Sequence, residues 1–315
     1  MVLLAIVAFM VYDFYGGNQA PEENPYAYEL DTWKEVAPEL ISYREVQQIP
    51  VDIEVLRALA LDTEDNIYVS GKDQLLIFDR SGELIRKINI GKQIFAMTIS
   101  EEGIIYLASR DQISLFQKDG SLIDIWMIEA EKTILTGLAV DEQYLYAADA
   151  GNIVIYQFNL QGEKIREIGK KDEVQGIVGF VIPSPYFDLA IGRDGELWAA
   201  NTGRHQLESY DEEGNLISSW KKSSMELIGF SGCCNPSHFA FLSNGNFVTS
   251  EKGIERIKVL SPSGDFLSVV APPTSFEKGT KGIDLAVDSE DRIISIDPKK
   301  KLIRIFVAKN DEDVQ

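Results

Sequence analysis

The chain has 315 residues, 45% of them hydrophobic, with 30 basic against 50 acidic side chains, a formal net charge of −20 and a pI near 4.5. That balance excludes a nucleic-acid partner, because phosphate recognition needs a basic footprint and this surface repels polyanions on average. Two cysteines, adjacent at Cys233 and Cys234, are too few for a disulfide framework, and no CxxC pair suggests a structural zinc site.

In chain order, residues 1–12 (MVLLAIVAFMVY) carry no charge. The run suits the apolar part of a secretory signal, about 7–15 residues, and falls short of the roughly 20 that span a bilayer. The first basic residue is Lys34 and no A-x-A cleavage pattern follows the run. An uncleaved signal anchor over residues 1–15 is therefore the leading expectation, with a cleaved signal peptide and a buried N-terminal strand as alternatives. Either signal puts the body outside the cytoplasmic membrane: anchored at a periplasmic or extracellular face, or secreted if the signal is cleaved. Residues 16–40 begin GGNQAPEENPYAY and read as a linker, with a short helix expected around residues 33–37. An extended strand follows at residues 41–51.

From there the chain repeats itself. Six segments pair an apolar strand with an acidic or glycine turn and a second strand: LALDTEDNIYVS at Leu59, MTISEEGIIYLA at Met97, LAVDEQYLYAAD at Leu138, LAIGRDGELWAAN at Leu189, FAFLSNGNFVTSE at Phe239 and LAVDSEDRIISID at Leu285. Their starts lie 38, 41, 51, 50 and 46 residues apart. After the first five, a third strand and a hairpin lead to a fourth, as in QLLIFDRSGELIRKI. Such a unit cannot bury both its faces alone, so the period predicts an all-β, six-bladed β-propeller of four-stranded antiparallel blades over residues 41–310. The sixth unit ends at KLIRIFVAK without a fourth strand, which residues 41–51 can supply, closing the ring and removing its open edge. An acidic tail, residues 311–315, ends the chain.

The fourth unit, LAIGRDGELWAANTGRHQLESYDEEGNLI, resembles an NHL repeat, whose second strand leads through a Gly-x-His stretch into the third. Gly203, Arg204 and His205 stand in that stretch, with Arg204 where the family usually has Asn. The other units match in strand and turn positions and lack the His. The resemblance implies an NHL-type propeller and a structural role for His205.

Stacking the repeats aligns two columns on one face of the ring. Just before the anchor of the first strand stand Ala58, Ala96, Gly137, Asp188, His238 and Asp284. At the end of the second strand stand Gly71, Ser109, Asp149, Asn201, Glu251 and Asp297. In both columns the polar residues fall on the later blades. The loops GFVIPSPYFDLA and GFSGCCNPSHFA align without a gap, bringing Cys233, Cys234 and Asn235 to the same face, where lysines such as Lys281 also gather. Three ionisable groups crowded near the axis, Asp188, His238 and Asp284, call for a ligand, a cation or mutual hydrogen bonds. Asp149, Asn201 and Asp297 are most simply Asx-type turn residues. Adjacent cysteines can be a strained vicinal disulfide, a pair of thiols or a soft-metal site.

No GxSxG, P-loop, HExxH or GxGxxG in a βαβ setting occurs. Some NHL-type propellers are lyases with zinc held by several histidines, and His205 and His238 cannot supply three. Propellers of the lactonase type hold calcium or zinc with a carboxylate, an Asn and an Asp, a set that Glu251, Asn201, Asp188 and Asp284 offer only by analogy of fold. The expectation is a non-catalytic binding or sensing module, tethered by its N-terminal segment and binding a protein or small molecule through Cys233, Cys234, Asn235, His238, Asp188, Asp284, Glu251 and Asn201. A divalent cation in the central channel, on Asp188, His238 and Asp284, is compatible with this reading and is not required by it. The alternatives are a metal-dependent hydrolase or lyase, and a dithiol accessory factor for redox or cofactor chemistry.

Overall fold

A computed structural model describes residues 30–310 except Gln175. The signal segment, the linker up to residue 29 and the acidic tail lie outside the described residues. Among the described residues no helix is long and apolar enough to cross a membrane.

The expected helix at residues 33–37 does not form. Short 3-10 turns cover Leu30–Trp33 and Pro38–Leu40, with irregular chain between them. Pro38 opens the second turn and disfavours helical backbone at the residue before it, which explains the break.

The rest is a six-bladed propeller. Blade one holds β2 (Leu56–Leu61), β3 (Ile67–Phe78) and β4 (Leu84–Gln93). β3 occupies the second and third strand positions at once: its first half pairs with β2 and its second half with β4, across Gly71–Asp73. Blade two holds β5 (Ala96–Ile99), β6 (Ile105–Ala108), β7 (Gln112–Phe116) and β8 (Leu122–Met127). Blade three holds β9 (Leu135–Val140), β10 (Tyr144–Asp149), β11 (Val154–Asn159) and β12 (Lys164–Ile168). Blade four holds β13 (Leu189–Ile191), β14 (Leu197–Asn201), β15 (Gln206–Tyr210) and β16 (Leu216–Lys221). Blade five holds β17 (His238–Phe241), β18 (Phe247–Glu251), β19 (Arg256–Leu260) and β20 (Phe266–Ala271). Blade six holds β21 (Leu285–Val287), β22 (Ile293–Asp297) and β23 (Leu302–Ala308), and its outer strand is β1 (Tyr43–Pro50), antiparallel to β23 from Tyr43↔Ala308 to Pro50↔Leu302. The first and last strands of the ring thus share one sheet, as the missing fourth strand predicts. The pair of buried Arg304 and half-buried Glu45, 2.7 Å, ties that seam.

The core lies between blades. Strand alternation sends successive side chains to opposite faces of a blade, so each strand feeds two interfaces. In β10, Leu145 and Ala147 pack against blade two, while Tyr146 and Ala148 pack against blade four. Trp198, Trp220, Phe239 and Phe247 fill the joint of blades four and five, and Ile49, Leu76, Ile296 and Ile303 fill the joint of blades six and one. Each blade is stable only with neighbours on both sides, which makes the closing strand β1 part of the stability of the ring.

Candidate functional site

The first strands of all six blades line a central channel of about 370 Å³. A second cavity of about 310 Å³ lies over it at the face carrying the entry loops, and His238, Phe95 and Thr136 line both, marking the neck between them.

Each first strand is the inner edge of its sheet, with backbone groups that meet no further strand. The column before the anchor deals with this. Asp188 Oδ2 accepts the Phe239 N–H of the next blade at 2.9 Å, and Asp284 Oδ2 accepts the Leu59 N–H of blade one at 2.8 Å. Asp284 Oδ1 also accepts the Leu285 N–H at 2.8 Å. His238 stands between the two acids, with Nδ1 3.3 Å from Asp284 Oδ1 and 3.7 Å from Asp188 Oδ2. His238 is 8% exposed, and its buried Nδ1 has no hydrogen-bond partner. Its ring meets Tyr186 edge-on at 6.0 Å.

Burial pushes the His238 imidazole down, but the charge of Asp284 and the proximity of Asp188 outweigh it and bring the pKa to about 8. Burial lifts the Asp284 carboxyl to about 6, with the His238 charge pulling down and Asp188 pushing up. On the other side of the channel the column is small. Gly137 is closed to any side chain, since a Cβ there would come within 2.4 Å of the Phe187 carbonyl oxygen.

The second column turns away from the channel into its own blades. Asp149 Oδ1 accepts the Ile134, Gly151 and Asn152 N–H groups, and Asn201 Oδ1 accepts the Val181 N–H at 2.9 Å. Glu251 takes the Ser231 N–H at 2.9 Å in the same way. It also pairs with Arg256 at 2.7 Å and Lys258 at 2.9 Å, all three fully buried. Burial raises the Glu251 carboxyl, and Lys258 and Arg256 reverse that to hold it below its ordinary value. Burial brings Lys258 down to about 8. Asn201 completes its bonding through Nδ2, which donates to Glu208 at 2.8 Å.

The cysteine loop is pinned by Asn235, whose Nδ2 donates to the Ser231 and Lys252 carbonyls and whose Oδ1 accepts the Lys252 N–H. Both cysteines are thiols, Cys233 exposed and Cys234 buried, with Sγ atoms 3.0 Å apart. Burial raises the Cys234 thiol; the Ser184 hydroxyl opposes this and Cys233 adds to it. Lys252, whose backbone Asn235 holds, donates to Ser184 Oγ at 3.0 Å and lies 4.6 Å from the centre of the Tyr186 ring.

Of the eight predicted site residues, Asp188, His238 and Asp284 come together at the neck, while Asn201, Asn235 and Glu251 are buried in bonds to their own loops and Cys233 and Cys234 line neither cavity. Sequence reasoning missed five mouth residues: Arg57, Phe95, Thr136, Tyr186 and, as a site residue, Lys281. Arg57 stacks 5.0 Å from the centre of the Phe95 ring. Arg57 and Thr136 are bulged residues, skipped in the pairing of β2 with β3 and of β9 with β10, and a bulge re-aims a side chain. Their shared signal was one position upstream of the aligned column, at Arg57, Phe95 and Thr136.

Fold and neck together define a six-bladed β-propeller with a polar collar at one end of its channel. Comparison with solved structures gives the same class. The chain resembles virginiamycin B lyase from Staphylococcus aureus with a TM-score of 0.58 at 11% identity, over 85% of this chain and 100% of that one. It resembles a streptogramin B lyase with a TM-score of 0.60 at 10% identity, over 85% and 98%. A structural genomics protein of unknown function from Bacteroides thetaiotaomicron aligns with a TM-score of 0.63 at 13% identity, over 85% of this chain and 72% of that one. Identities this low carry the fold alone. No protein-family model matches the sequence, and no curated protein does.

Proposed function

We propose that the protein is a binding or sensing module of NHL-like type, held outside the cytoplasmic membrane by its N-terminal segment, that takes up a small organic anion with a flat apolar part at the channel mouth. The observation that carries this reading is the lining of the mouth: two cations, Arg57 and Lys281, beside two aromatic rings, Phe95 and Tyr186, over a narrow polar neck. Arg57 is fixed against Phe95 and by the Gln93 side-chain oxygen, and neither it nor Lys281 makes an ion pair among the described residues, so both charges are left unmatched for a carboxylate or similar group. In a chain of net charge −20, a cavity with unpaired cations is set apart from its surroundings.

Ligand-detected NMR with a panel of small acids, amines and neutral analogues tests this. Binders should be drawn from the acids, and the Arg57→Ala/Lys281→Ala double variant should lose them. A panel in which amines bind as well as acids, or in which the double variant keeps its ligands, would sink the reading.

The second reading, a metal-dependent hydrolase or lyase, is favoured by one observation, the convergence of Asp188, His238 and Asp284 on the cavity. Steady turnover of lactones or esters, abolished by EDTA, would promote it above the binding role.

A further inference from the structure

We propose that Asp188, His238 and Asp284 form a site for one divalent transition-metal cation at the neck of the channel, with its remaining coordination positions open to the mouth. The site rests on its own three residues and is independent of the organic-anion reading. One potential ligand atom from each residue lies within 4.8 Å of the others. His238 Nδ1 is the vertex, 3.3 Å and 3.7 Å from its two oxygens. A metal bonded at about 2.1 Å to Nδ1 and to either oxygen would see those two separations as angles of about 105° and 125°, inside the range that tetrahedral and five-coordinate sites use. The separations are too long for good hydrogen bonds and right for ligands of a common ion.

Two further observations separate this cluster from an ordinary group of acids. His238 Nδ1 is buried and makes no hydrogen bond, and it faces Asp284 Oδ1 at 3.3 Å and Asp188 Oδ2 at 3.7 Å, so its lone pair is aimed between the two carboxylates. The carboxylates are also held in place: the Phe239 and Leu285 N–H groups bond the two oxygens nearest Nδ1, and the Leu59 N–H bonds the other oxygen of Asp284, so backbone donors fix both carboxylates as outer bonding fixes ligating ones. Three consecutive blades each contribute one group, so the geometry is set by rigid strand ends.

The donor set selects the ion. One imidazole and two carboxylates suit zinc, manganese or iron(II), whereas calcium asks for six to eight oxygens. Three protein ligands leave at least one position open, and His238 lines both cavities, so the ion would meet whatever enters the mouth.

The test uses the full chain stripped with EDTA, with Mn2+ as the probe read by its EPR signal, because this hard ion avoids thiols. One saturable equivalent is expected. Asp188→Asn and Asp284→Asn should each weaken it at least about tenfold while keeping a native thermal transition. A Cys233→Ser/Cys234→Ser variant should bind as the parent does. The Zn2+-loaded chain should give an absorption fine structure of nitrogen and oxygen neighbours only, without the sulfur shell expected at about 2.3 Å for thiolates. The proposal fails if the parent shows no saturable Mn2+ binding, if the Asp variants bind unchanged, or if the zinc shell contains sulfur. Should an Asp variant lose its fold, the Zn2+ shell and the cysteine variant still decide between the neck and the loop.

Discussion

The two polar columns of the ring look alike in sequence and are opposite in structure. At the end of the second strand, Asp149, Asn201 and Glu251 point into their own blades, each accepting the N–H of its own entry loop. Before the first strand, Asp188 and Asp284 reach across to the neighbouring blade, and His238 is left with an unpartnered nitrogen. The difference is one of supply. The second column sits at a tight loop rich in unpaired backbone donors, which bond most of the oxygens placed there, Asp297 Oδ2 being left without a hydrogen-bond partner. The first column faces an open channel with few donors, so groups there keep unused valence. A polar side chain in a propeller becomes a site where the backbone cannot consume it.

The largest expected effect tests the structural half of that contrast. Glu251→Ala leaves Arg256 and Lys258 buried without their counter-charge, and breaking such a pair costs roughly 3–5 kcal/mol. Urea denaturation should show a large fall in midpoint, with Mn2+ affinity of any folded fraction unchanged. A stable Glu251→Ala protein that loses Mn2+ instead would erase the distinction between the columns.

Much of this was legible in the sequence, unevenly. Strand alternation and turn spacing gave the blades, and the missing fourth strand after KLIRIFVAK gave the closure by β1. The convergence of Asp188, His238 and Asp284 followed from the repeat register. The fate of Glu251 depended on Arg256 and Lys258 pointing inward from β19, a charged Arg-Ile-Lys where the third strands of most other blades are apolar, which was a visible signal of a buried network. The mouth was hidden for another reason: Arg57 and Thr136 reach it because of bulges, and a one-residue bulge is not written in hydrophobic periodicity. The helix expected at residues 33–37 was a matter of composition, and Pro38 overruled it.

An intermediate effect probes the functional column through pH. His238 has a pKa raised from 6.5 to about 8, so the folded state holds a proton that the unfolded chain releases earlier. The resulting stability is fully present below pH 6.5 and is lost as pH rises through 8, amounting to on the order of 2 kcal/mol. Asp284, also raised, gives a loss of the same sign as pH rises from its ordinary range through about 6. Asp188, Asp284 and the Tyr186 ring are the groups facing the imidazole. Melts of the EDTA-treated chain should therefore decline between pH 6.5 and 8, and Asp284→Asn should flatten that decline. With only two histidines in the chain, the His238 imidazole signal can be followed directly by NMR, and a midpoint below 6.5 would contradict the geometry.

The smallest effect on stability belongs to the mouth, and its smallness is informative. Arg57 is an exposed bulge residue with no ion pair among the described residues, so Arg57→Ala should change stability by no more than about 0.5 kcal/mol. If the mouth binds organic anions over a cation at the neck, the two ligands must favour each other, since the ion offsets the charge of Asp188 and Asp284 directly under the anion. Linkage makes that coupling reciprocal: any acid found to bind should raise Mn2+ affinity by the same factor by which Mn2+ raises its own. Arg57→Ala should weaken the acid while leaving Mn2+ binding in its absence unchanged, and Asp284→Asn should remove the coupling. A calorimetric titration of each ligand with and without the other measures both factors. Unequal factors would mean a second binding place for one ligand, and equal factors of one would mean that neck and mouth are separate sites sharing a histidine.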